Sequence, residues 1–310
     1  MTDVVSMGEP LVEFNAEVPG LLRSARGFFT AYGGDSANFA VAAARLGGRS
    51  AYLTRIGDDE FGAALLDSWR CEGVDTSGVL VDPEAFTGVY FISRTDTGHD
   101  FTYYRKGSAA SGLRSSDVPE DVVRDARLLH VSGVTQAIST SACDAVFHAI
   151  ELAKRHATLV SYDPNLRPAL WPPALAKAIA LASIQAADIV LPNLDEGRAL
   201  TGLDEPREVL AALRDRTDGL VVLKLGADGV LLGLPGGDVH VPPYKVVAVD
   251  ATGAGDAFAA AFAVRLLAGF EPEEAARFAV IAGALTTTGK GAIGSVPVRL
   301  DVERRLLLPN

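Results

Sequence analysis

The chain has 310 residues, of which 48% are hydrophobic, and this length permits one large α/β domain with a sizeable core. Its 39 acidic side chains outnumber its 28 basic ones, and the formal charge of -11 without any basic, aromatic-rich block argues against nucleic acid or an anionic membrane surface as a partner. The two cysteines form no metal-binding or disulfide motif. The sequence shows neither a signal-peptide pattern nor a charge-free run of 18 apolar residues, which predicts a cytoplasmic protein.

The first third of the chain combines strands and helices with two segments of antiparallel character. The pattern around a turn at Thr97-Gly98 alternates apolar and polar residues, which predicts a hairpin. The predicted strands or extended segments are 4–7, 11–17, 27–32, 50–57, 88–95 and 100–105, and the predicted helices are 36–46 and 61–71.

After residue 115 the pattern becomes a regular alternation of buried strands and helices. This alternation predicts a single domain (1–310) with a mainly parallel sheet that carries helices on both faces. The segments 11–32 and 88–107 are predicted to pair as a small β-sheet lid over the carboxyl ends of the strands, where open α/β sheets bind ligands. The predicted strands are 128–133, 159–163, 188–193, 220–226, 229–234 and 238–243, and the helices are 140–156, 173–186, 206–217, 254–268 and 272–288.

The segment 250–256 (DATGAGD) is the most informative part of the sequence. A valine-rich stretch, 246–250, is predicted to form a strand before it, and a helix follows. Small residues let backbone N–H groups approach an anion closely, and the helix directs its positive end to the same point. This arrangement suits phosphoryl transfer, with Asp256 taking a proton from an attacking hydroxyl. The alternative is an ordinary glycine turn with a capping aspartate.

Two other polar turns flank predicted elements. The turn 33–38 places Asp35 and Asn38 beside a helix N-terminus, which suits a polyhydroxylated ligand, although a glycine turn with a Ser or Asp cap explains it equally. The turn 163–167 (DPNLR) ends a strand with three polar side chains, and its Arg167 can bind a phosphate or a carboxylate through two hydrogen bonds.

The next two strands also end in candidate ligand-binding turns. Asn193 and Glu196 face one way at a helix start, where oxygen ligands acting through water suit Mg²⁺ near phosphates. A simple helix cap is the alternative for this pair. The turn 224–229 (KLGADG) provides a tight bend against which a nucleotide base or ribose can lie.

The second lid strand projects Tyr103 and Arg105 to one face, since side chains alternate along a strand. This pair suggests recognition of an anionic, hydroxylated ligand, and the alternative is a cross-strand aromatic contact beside a solvated arginine. The five histidines form no catalytic grouping, and His130 is predicted to lie in the core. A dehydrogenase is not supported, because no GxGxxG turn follows the first strand.

Together, these segments resemble the ribokinase family of sugar kinases, also called PfkB carbohydrate kinases, over nearly the whole chain. The stretch 33–48 with Gly57 and the stretch 250–262 resemble the two signatures of the family, and DPNLR and NLDE resemble its two mid-chain motifs. The resemblance implies a Rossmann-like α/β domain with a β-lid and ATP-dependent phosphorylation of a primary hydroxyl on a sugar-like acceptor.

The resemblance also implies a role for each matching residue. Asp256 is expected to be the catalytic base, although the helix end is expected to lower its basicity. Ala251 departs from the Thr or Ser of many members, with little effect expected on the chemistry. The expected anion hole is Gly253, Ala254 and Gly255, and the expected acceptor-binding residues are Gly34, Asn38, Tyr90, Tyr103, Arg105, Arg167 and Asp256. The expected nucleotide- and phosphate-binding residues are Asn165, Arg167, Asn193, Lys224, Gly226, Asp228, Gly229, Gly253, Gly255, Ala282, Gly283 and Thr286. Mg²⁺ is expected at Asn193 and Glu196 through water, and a monovalent cation such as K⁺ at Asp250 and Thr252.

The lid sequence 101–111 (FTYYRKGSAAS) resembles 2-keto-3-deoxygluconate kinases in particular. In that case Tyr103 and Arg105 contact the sugar acid, and Arg167 supplies a second positive charge. Fructokinases have a similar lid, so a fructokinase or another sugar kinase of the family stays open, as does a catalytically silent sugar- or nucleotide-binding regulator. The exposed edge of a lid sheet invites pairing with a second chain, which predicts a homo-oligomer formed through the lid.

Overall fold

The structure, a computed structural model, describes residues 2–95, 98–234 and 236–307. In this part of the chain none of the helices has both the length and the apolar surface needed to traverse a bilayer. The strands are β1 (Thr2–Met7), β2 (Leu11–Ala16), β3 (Phe28–Gly33), β4 (Ser50–Gly57), β5 (Val79–Asp82), β6 (Val89–Thr95), β7 (Gly98–Tyr104), β8 (Ala126–Ser132), β9 (Leu159–Asp163), β10 (Ile189–Val190), β11 (Leu220–Lys224), β12 (Val230–Leu234) and β13 (Gly237–Val241). The helices are α1 (Asp35–Arg45), α2 (Glu60–Cys71), α3 (Glu120–Arg124), α4 (Gly133–Ala137), α5 (Thr140–Arg155), α6 (Pro173–Ala186), α7 (Leu194–Thr201), α8 (Pro206–Arg214), α9 (Ala254–Leu267), α10 (Pro272–Thr286) and α11 (Arg299–Leu306).

The large sheet has the strand order β13-β12-β11-β10-β9-β8-β1-β4-β5. Its pairings are parallel from β11 to β5, and β12 and β13 extend it in antiparallel orientation. Successive side chains of a strand point to opposite faces, and accordingly the adjacent residues Val4 and Val5 are both fully buried but lie in two different core clusters. The predicted sheet with helices on both faces is therefore confirmed.

The second sheet has the order β3-β2-β6-β7, with β2 and β6 parallel and the two hairpin pairs antiparallel. It is built from the two segments that were expected to form the lid. Thr97, which the predicted hairpin turn includes, lies outside the described residues. The lid and the core are joined closely at Gly34, whose φ of +103° and contact with the carbonyl of Glu9 leave no room for a Cβ atom.

The predicted strand at 246–250 is wrong. Residues 242–250 form no regular secondary structure, and Val247 and Val249 are 87% and 57% exposed. The backbone N–H groups of Val249 and Asp250 both donate to the carbonyl of Thr287 at 2.7 and 3.1 Å, instead of pairing with a strand. The valines match strand propensity, but propensity does not produce a strand where no apolar surface covers the side chains.

Candidate active site

Four parallel strands end at one edge of the large sheet and deliver polar residues there. Asp163 closes β9 and Lys224 closes β11, while Asn193 follows β10 and Glu9 follows β1. Because the strands are parallel, these ends meet at the same edge and lie next to the lid, which leaves the core directly after β1.

The N-terminus of α9 presents backbone donors at this edge. Gly253 precedes the helix with a φ of +77°, and an added Cβ atom would lie 2.7 Å from the carbonyl oxygen of Ala292, so only glycine fits. The first helical hydrogen bond runs from Ala257 N–H to the Gly253 carbonyl at 2.9 Å, and the N–H of Ala254 donates to Ala251 at 3.2 Å. The N–H groups of the next two positions, 255 and 256, have no acceptor within the helix and can bind an anion.

Asp256 lies in the first turn of α9 and faces α1. Its Oδ2 accepts a hydrogen bond from Nδ2 of Asn38 at 2.7 Å. Burial and the nearby carboxylates of Asp35 and Asp163 raise the pKa of Asp256 to about 8, although the Asn38 hydrogen bond and Lys224 oppose this. Burial and like charges thus act against the lower basicity that was expected from the helix end. A pKa near the working pH suits a group that must accept a proton.

Asn38 has a second polar atom that remains available. Its Oδ1 is buried and has no hydrogen-bond partner among the described residues. Since a buried polar atom without a partner is costly, this oxygen is suited to accept a hydrogen bond from a ligand hydroxyl beside Asp256. The amide of Asn38 can thus orient both the aspartate and a hydroxyl-bearing ligand.

Lys224 places a buried positive charge beside the α9 N-terminus. Its Nζ lies 2.6 Å from Oδ2 of Asp163, and 3.6 Å from the position that a Cβ atom on Gly255 would occupy. Burial acts to lower the pKa of Lys224, but the carboxylates of Asp163 and Glu196 outweigh it and raise the pKa. Lys224 therefore stays charged, and its ammonium group and the free N–H groups face the same space.

Asn193 and Glu196 form a reciprocal cap at the start of α7. The N–H of Glu196 donates to Oδ1 of Asn193 at 2.9 Å, and the N–H of Asn193 donates to Oε2 of Glu196 at 2.9 Å. Burial and Asp163 raise the pKa of Glu196 to about 7. In the described residues no group of three or more His, Cys, Asp and Glu side chains is arranged to hold a metal ion, so this pair fits a cation held through water and not a closed metal cage.

The 163–167 loop is held by three carboxylates. Asn165, with a φ of +37°, donates from Nδ2 to Asp35 at 2.7 Å and from its backbone N–H to Asp163 at 3.2 Å. The N–H of Leu166 donates to Oε1 of Glu196 at 3.1 Å. The structure thus gives Asn165 a role in positioning the loop. Arg167 at its end is exposed.

The lid places an aromatic and charged cluster over the site. Tyr90 donates to Glu13 and stacks on Tyr103, with the ring centroids 5.3 Å apart. The guanidinium carbon of Arg105 lies 5.3 Å from the centroid of the Tyr103 ring. Arg105 also makes an ion pair with Glu9 and is 11% exposed, so it is not the solvated arginine of the alternative interpretation.

A cleft of about 690 Å³ extends from the α9 N-terminus and is bordered by expected residues: Lys224, Gly226, Gly229, Gly255 and Gly283. Ala282 and Thr286 differ from expectation, because their fully buried side chains point into the core on the opposite face of α10. Asp228 is exposed outside the lining, and its carbonyl accepts a hydrogen bond from His240. Residues that the sequence did not single out also border the cleft: Tyr244, Val246, Ala248, Phe258, Val280, Ala284 and Thr287. This lining of small and apolar groups fits an adenine ring.

Two other predicted positions have structural partners. Oδ1 of Asp250 accepts hydrogen bonds from the N–H and the hydroxyl of Thr252 at 2.9 and 2.6 Å, and its Oδ2 accepts from the N–H of Gly291 at 3.0 Å. The carboxylate therefore fixes this loop, and cation binding there stays a prediction. His130 is buried and stacks on Phe39 with the ring centroids 3.7 Å apart, as expected for a core histidine.

Comparisons with known proteins agree with this geometry. A family model described as pfkB family carbohydrate kinase matches residues 1–299. The chain is 37% identical to a 2-dehydro-3-deoxygluconokinase of Thermoproteus tenax, over 99% of this chain and 94% of that protein. It is 39% identical to Fructokinase-1 of Oryza sativa subsp. japonica, over 96% of each. The crystal structure of a putative Ribokinase II from E. coli in complex with ATP and Mg²⁺ is similar with a TM-score of 0.91 and 27% identity, over 99% of both chains.

Proposed function

The chain belongs to the pfkB family of carbohydrate kinases and is a sugar kinase, and we propose that it transfers the γ-phosphoryl group of ATP to the primary hydroxyl of 2-keto-3-deoxygluconate, giving 2-keto-3-deoxy-6-phosphogluconate. The observation that carries this choice is that the charges of two arginines act on Tyr103 of the lid, with the guanidinium carbon of Arg105 5.3 Å from the centroid of its ring. Burial raises the pKa of Tyr103, and the charges of both Arg105 and Arg167 act to lower it. A sugar acid carries a carboxylate that two such arginines can bind, whereas a neutral ketose does not need them.

Different residues bind the acceptor hydroxyl and the phosphoryl group. The acceptor hydroxyl lies between Asp256 and the phosphoryl group, with Asn38 holding both the aspartate and the acceptor. The free N–H groups at 255 and 256 and the ammonium group of Lys224 stabilise charge on the phosphoryl oxygens. Because phosphoryl transfer passes through a loose transition state, Asp256 first orients the hydroxyl and takes its proton late.

ATP supplies the phosphoryl group, and Mg²⁺ offsets the negative charge of its oxygens. Glu196 and Asn193 would hold the ion through water, because one buried carboxylate and one amide oxygen make an incomplete direct shell. Asp250 and Thr252 would border a monovalent cation such as K⁺ behind the anion hole.

Fructokinase activity is the second candidate, and a specific contact favours it. Glu9 already neutralises Arg105, and a neutral acceptor leaves that ion pair intact. The similarity to a rice fructokinase is as extensive as that to the sugar acid kinase. The test must therefore compare the two acceptors directly.

Replacing Arg105 by alanine is expected to cost about 1.5–3 kcal/mol of binding to the acid acceptor, which is about a 10- to 150-fold loss in kcat/KM. Fructose, which has no carboxylate, is expected to lose less. The measurement is kcat/KM on both acceptors. Arg49→Ala serves as the control, because Arg49 pairs with Asp3 at 2.9 Å near the start of β1, whereas Glu9 follows the end of that strand. Equal losses on both acceptors would contradict recognition of the carboxylate by Arg105.

A homo-oligomer through the lid remains a prediction, as does a cytoplasmic location. Support for the oligomer comes from Phe29, Phe101 and Tyr103, which lie on the edge strands β3 and β7 and are 40–46% exposed. Exposed aromatic side chains on an open sheet edge favour burial against a second lid.

A further inference from the structure

Glu9 is a buried acid at the point where the chain enters the lid. Its side chain is 1% exposed, and Arg105 donates to it from Nε to Oε1 at 3.2 Å and from Nη2 to Oε2. The carboxylate of Asp35, from the start of α1, is close enough to act on it. Glu9 in turn acts on the hydroxyls of Tyr52 on β4 and Tyr103 on β7. Among the residues that the structure describes, the charged groups that act on Glu9 are thus Arg105 and Asp35.

An acceptor that carries a carboxylate adds a negative charge to this group of ionised side chains. With Glu9 ionised, a carboxylate held by Arg105 places two anions on one guanidinium group in a buried space, and Asp35 lies close enough to Glu9 to add to the repulsion. Arg105 has five N–H donors and can contact two carboxylates, but the repulsion between the anions remains. A neutral sugar brings no additional charge and encounters no such penalty.

We propose that Glu9 is a positioning residue that sets the choice between acidic and neutral acceptors: its carboxylate competes with the acceptor carboxylate for Arg105, and an acidic acceptor binds with Glu9 protonated. This inference rests on the proposed function in that Arg105 meets the carboxylate of the acceptor. The proton comes from solvent when the acid binds and returns to it on release, so the charge around Arg105 is the same before and after binding.

The protonation behaviour of Glu9 supports this exchange. Burial raises its pKa to about 7, Asp35 adds to the increase, and Arg105 opposes it. Below this pH Glu9 is mostly protonated and Arg105 is available to the acid. Above it, each further pH unit is expected to reduce the relative affinity for the acid about tenfold, since one proton must be taken up for each acceptor bound.

The test is the ratio of kcat/KM for 2-keto-3-deoxygluconate to kcat/KM for fructose, measured from about pH 6 to about pH 9. Groups that both reactions need, including Asp256, cancel in this ratio. The wild-type ratio is expected to fall as the pH rises through 7. In Glu9→Gln the ratio should become flat and, at about pH 8, should exceed the wild-type ratio by about tenfold. Asp3→Asn, which weakens the Asp3–Arg49 pair near the start of β1, should behave like the wild type.

A wild-type ratio that does not change with pH, or an unchanged ratio in Glu9→Gln, overturns the role of Glu9 while leaving the proposed function intact. If the wild type uses fructose and not the acid, the proposed function fails. In that case a gain of acid turnover in Glu9→Gln still supports the role of Glu9, whereas no gain of acid turnover overturns that role. If Glu9→Gln does not fold, or neither acceptor reacts, calorimetry of acid binding to the wild type in two buffers at about pH 8, where free Glu9 is ionised, decides. Uptake of one proton supports the inference, and binding without uptake, or no binding, overturns it.

Discussion

Replacing Asp256 by asparagine is expected to remove most of kcat while leaving ATP binding largely intact. Asparagine has the same shape and can still accept the hydrogen bond from Asn38, but it cannot take the proton of the acceptor hydroxyl. Loss of a general base typically costs about 10²- to 10⁴-fold in rate. The measurement is kcat from ADP release, together with calorimetric ATP binding.

The pH dependence provides a second readout for Asp256. Its pKa is raised to about 8, so the ionised form is lost as the pH falls below that value, and wild-type kcat/KM should decrease with it. The residual activity of Asp256→Asn should not show this decrease in kcat/KM at low pH. Asp195→Asn is the matched control, since Asp195 also lies in the first turn of a helix but is 91% exposed. Near-wild-type turnover in Asp256→Asn would sink the assignment.

Replacing Lys224 by methionine is expected to damage both folding and turnover. Lys224 is the buried counter-ion of Asp163 and acts on Glu196, and removing one partner of a buried ion pair typically costs about 3–5 kcal/mol. The same ammonium group lies beside Gly255, so its loss should also weaken stabilisation of the phosphoryl group. Denaturant unfolding measures the first effect, and kcat with the KM for ATP measures the second.

Two further variants separate these effects. Lys154→Met breaks the Lys154–Asp188 pair, which has the similar distance of 2.7 Å but whose side chains are 43% and 33% exposed, so it should cost less than about 1 kcal/mol and leave turnover unchanged. In the double variant Asp163→Asn/Lys224→Met the uncompensated charge is gone, so stability should partly recover while activity does not. Recovery of activity in the double variant, or full activity in Lys224→Met, contradicts a role for Lys224 in phosphoryl transfer.

The sequence predicts the fold well where burial dictates the pattern. The strands at 159–163 and 220–224 are short apolar runs between helices, and such runs are typical of parallel strands covered on both faces. The stretch 246–250 has equally strong strand propensity, but although Val246 packs against the core, Val247 and Val249 are exposed. The strand β5 was missed for the opposite reason, since it lies at the sheet edge and is only partly buried.

The sequence predicts which types of residue form the site, but it does not predict which of their side chains contact each other. Glycine turns and polar residues after strands identify where Asp256, Lys224 and Glu196 lie. The pairing of Arg105 with Glu9 spans 96 residues, and only the packing of the lid on the core reveals it. The raised pKa of Asp256 likewise depends on burial and on Asp35, neither of which a motif contains.

For the helix α10, the sequence does not predict which residues border the cleft. This depends on the rotation of the helix about its axis, and the helix is apolar on most of its surface. Gly283 faces the cleft, whereas Ala282 and Thr286 turn into the core. An amphipathic pattern would have fixed this rotation from the sequence, but a helix buried on several faces provides none.

We propose that the lid selects a sugar acid as the acceptor for phosphoryl transfer at the DATGAGD turn. A coupled ADP-release assay on the wild-type protein, with 2-keto-3-deoxygluconate, fructose and ribose offered separately with ATP and Mg²⁺, tests this choice of acceptor. We expect the highest kcat/KM for 2-keto-3-deoxygluconate, with phosphate on its primary hydroxyl. Higher kcat/KM for fructose or ribose, or no ADP release with any of the three, would contradict it.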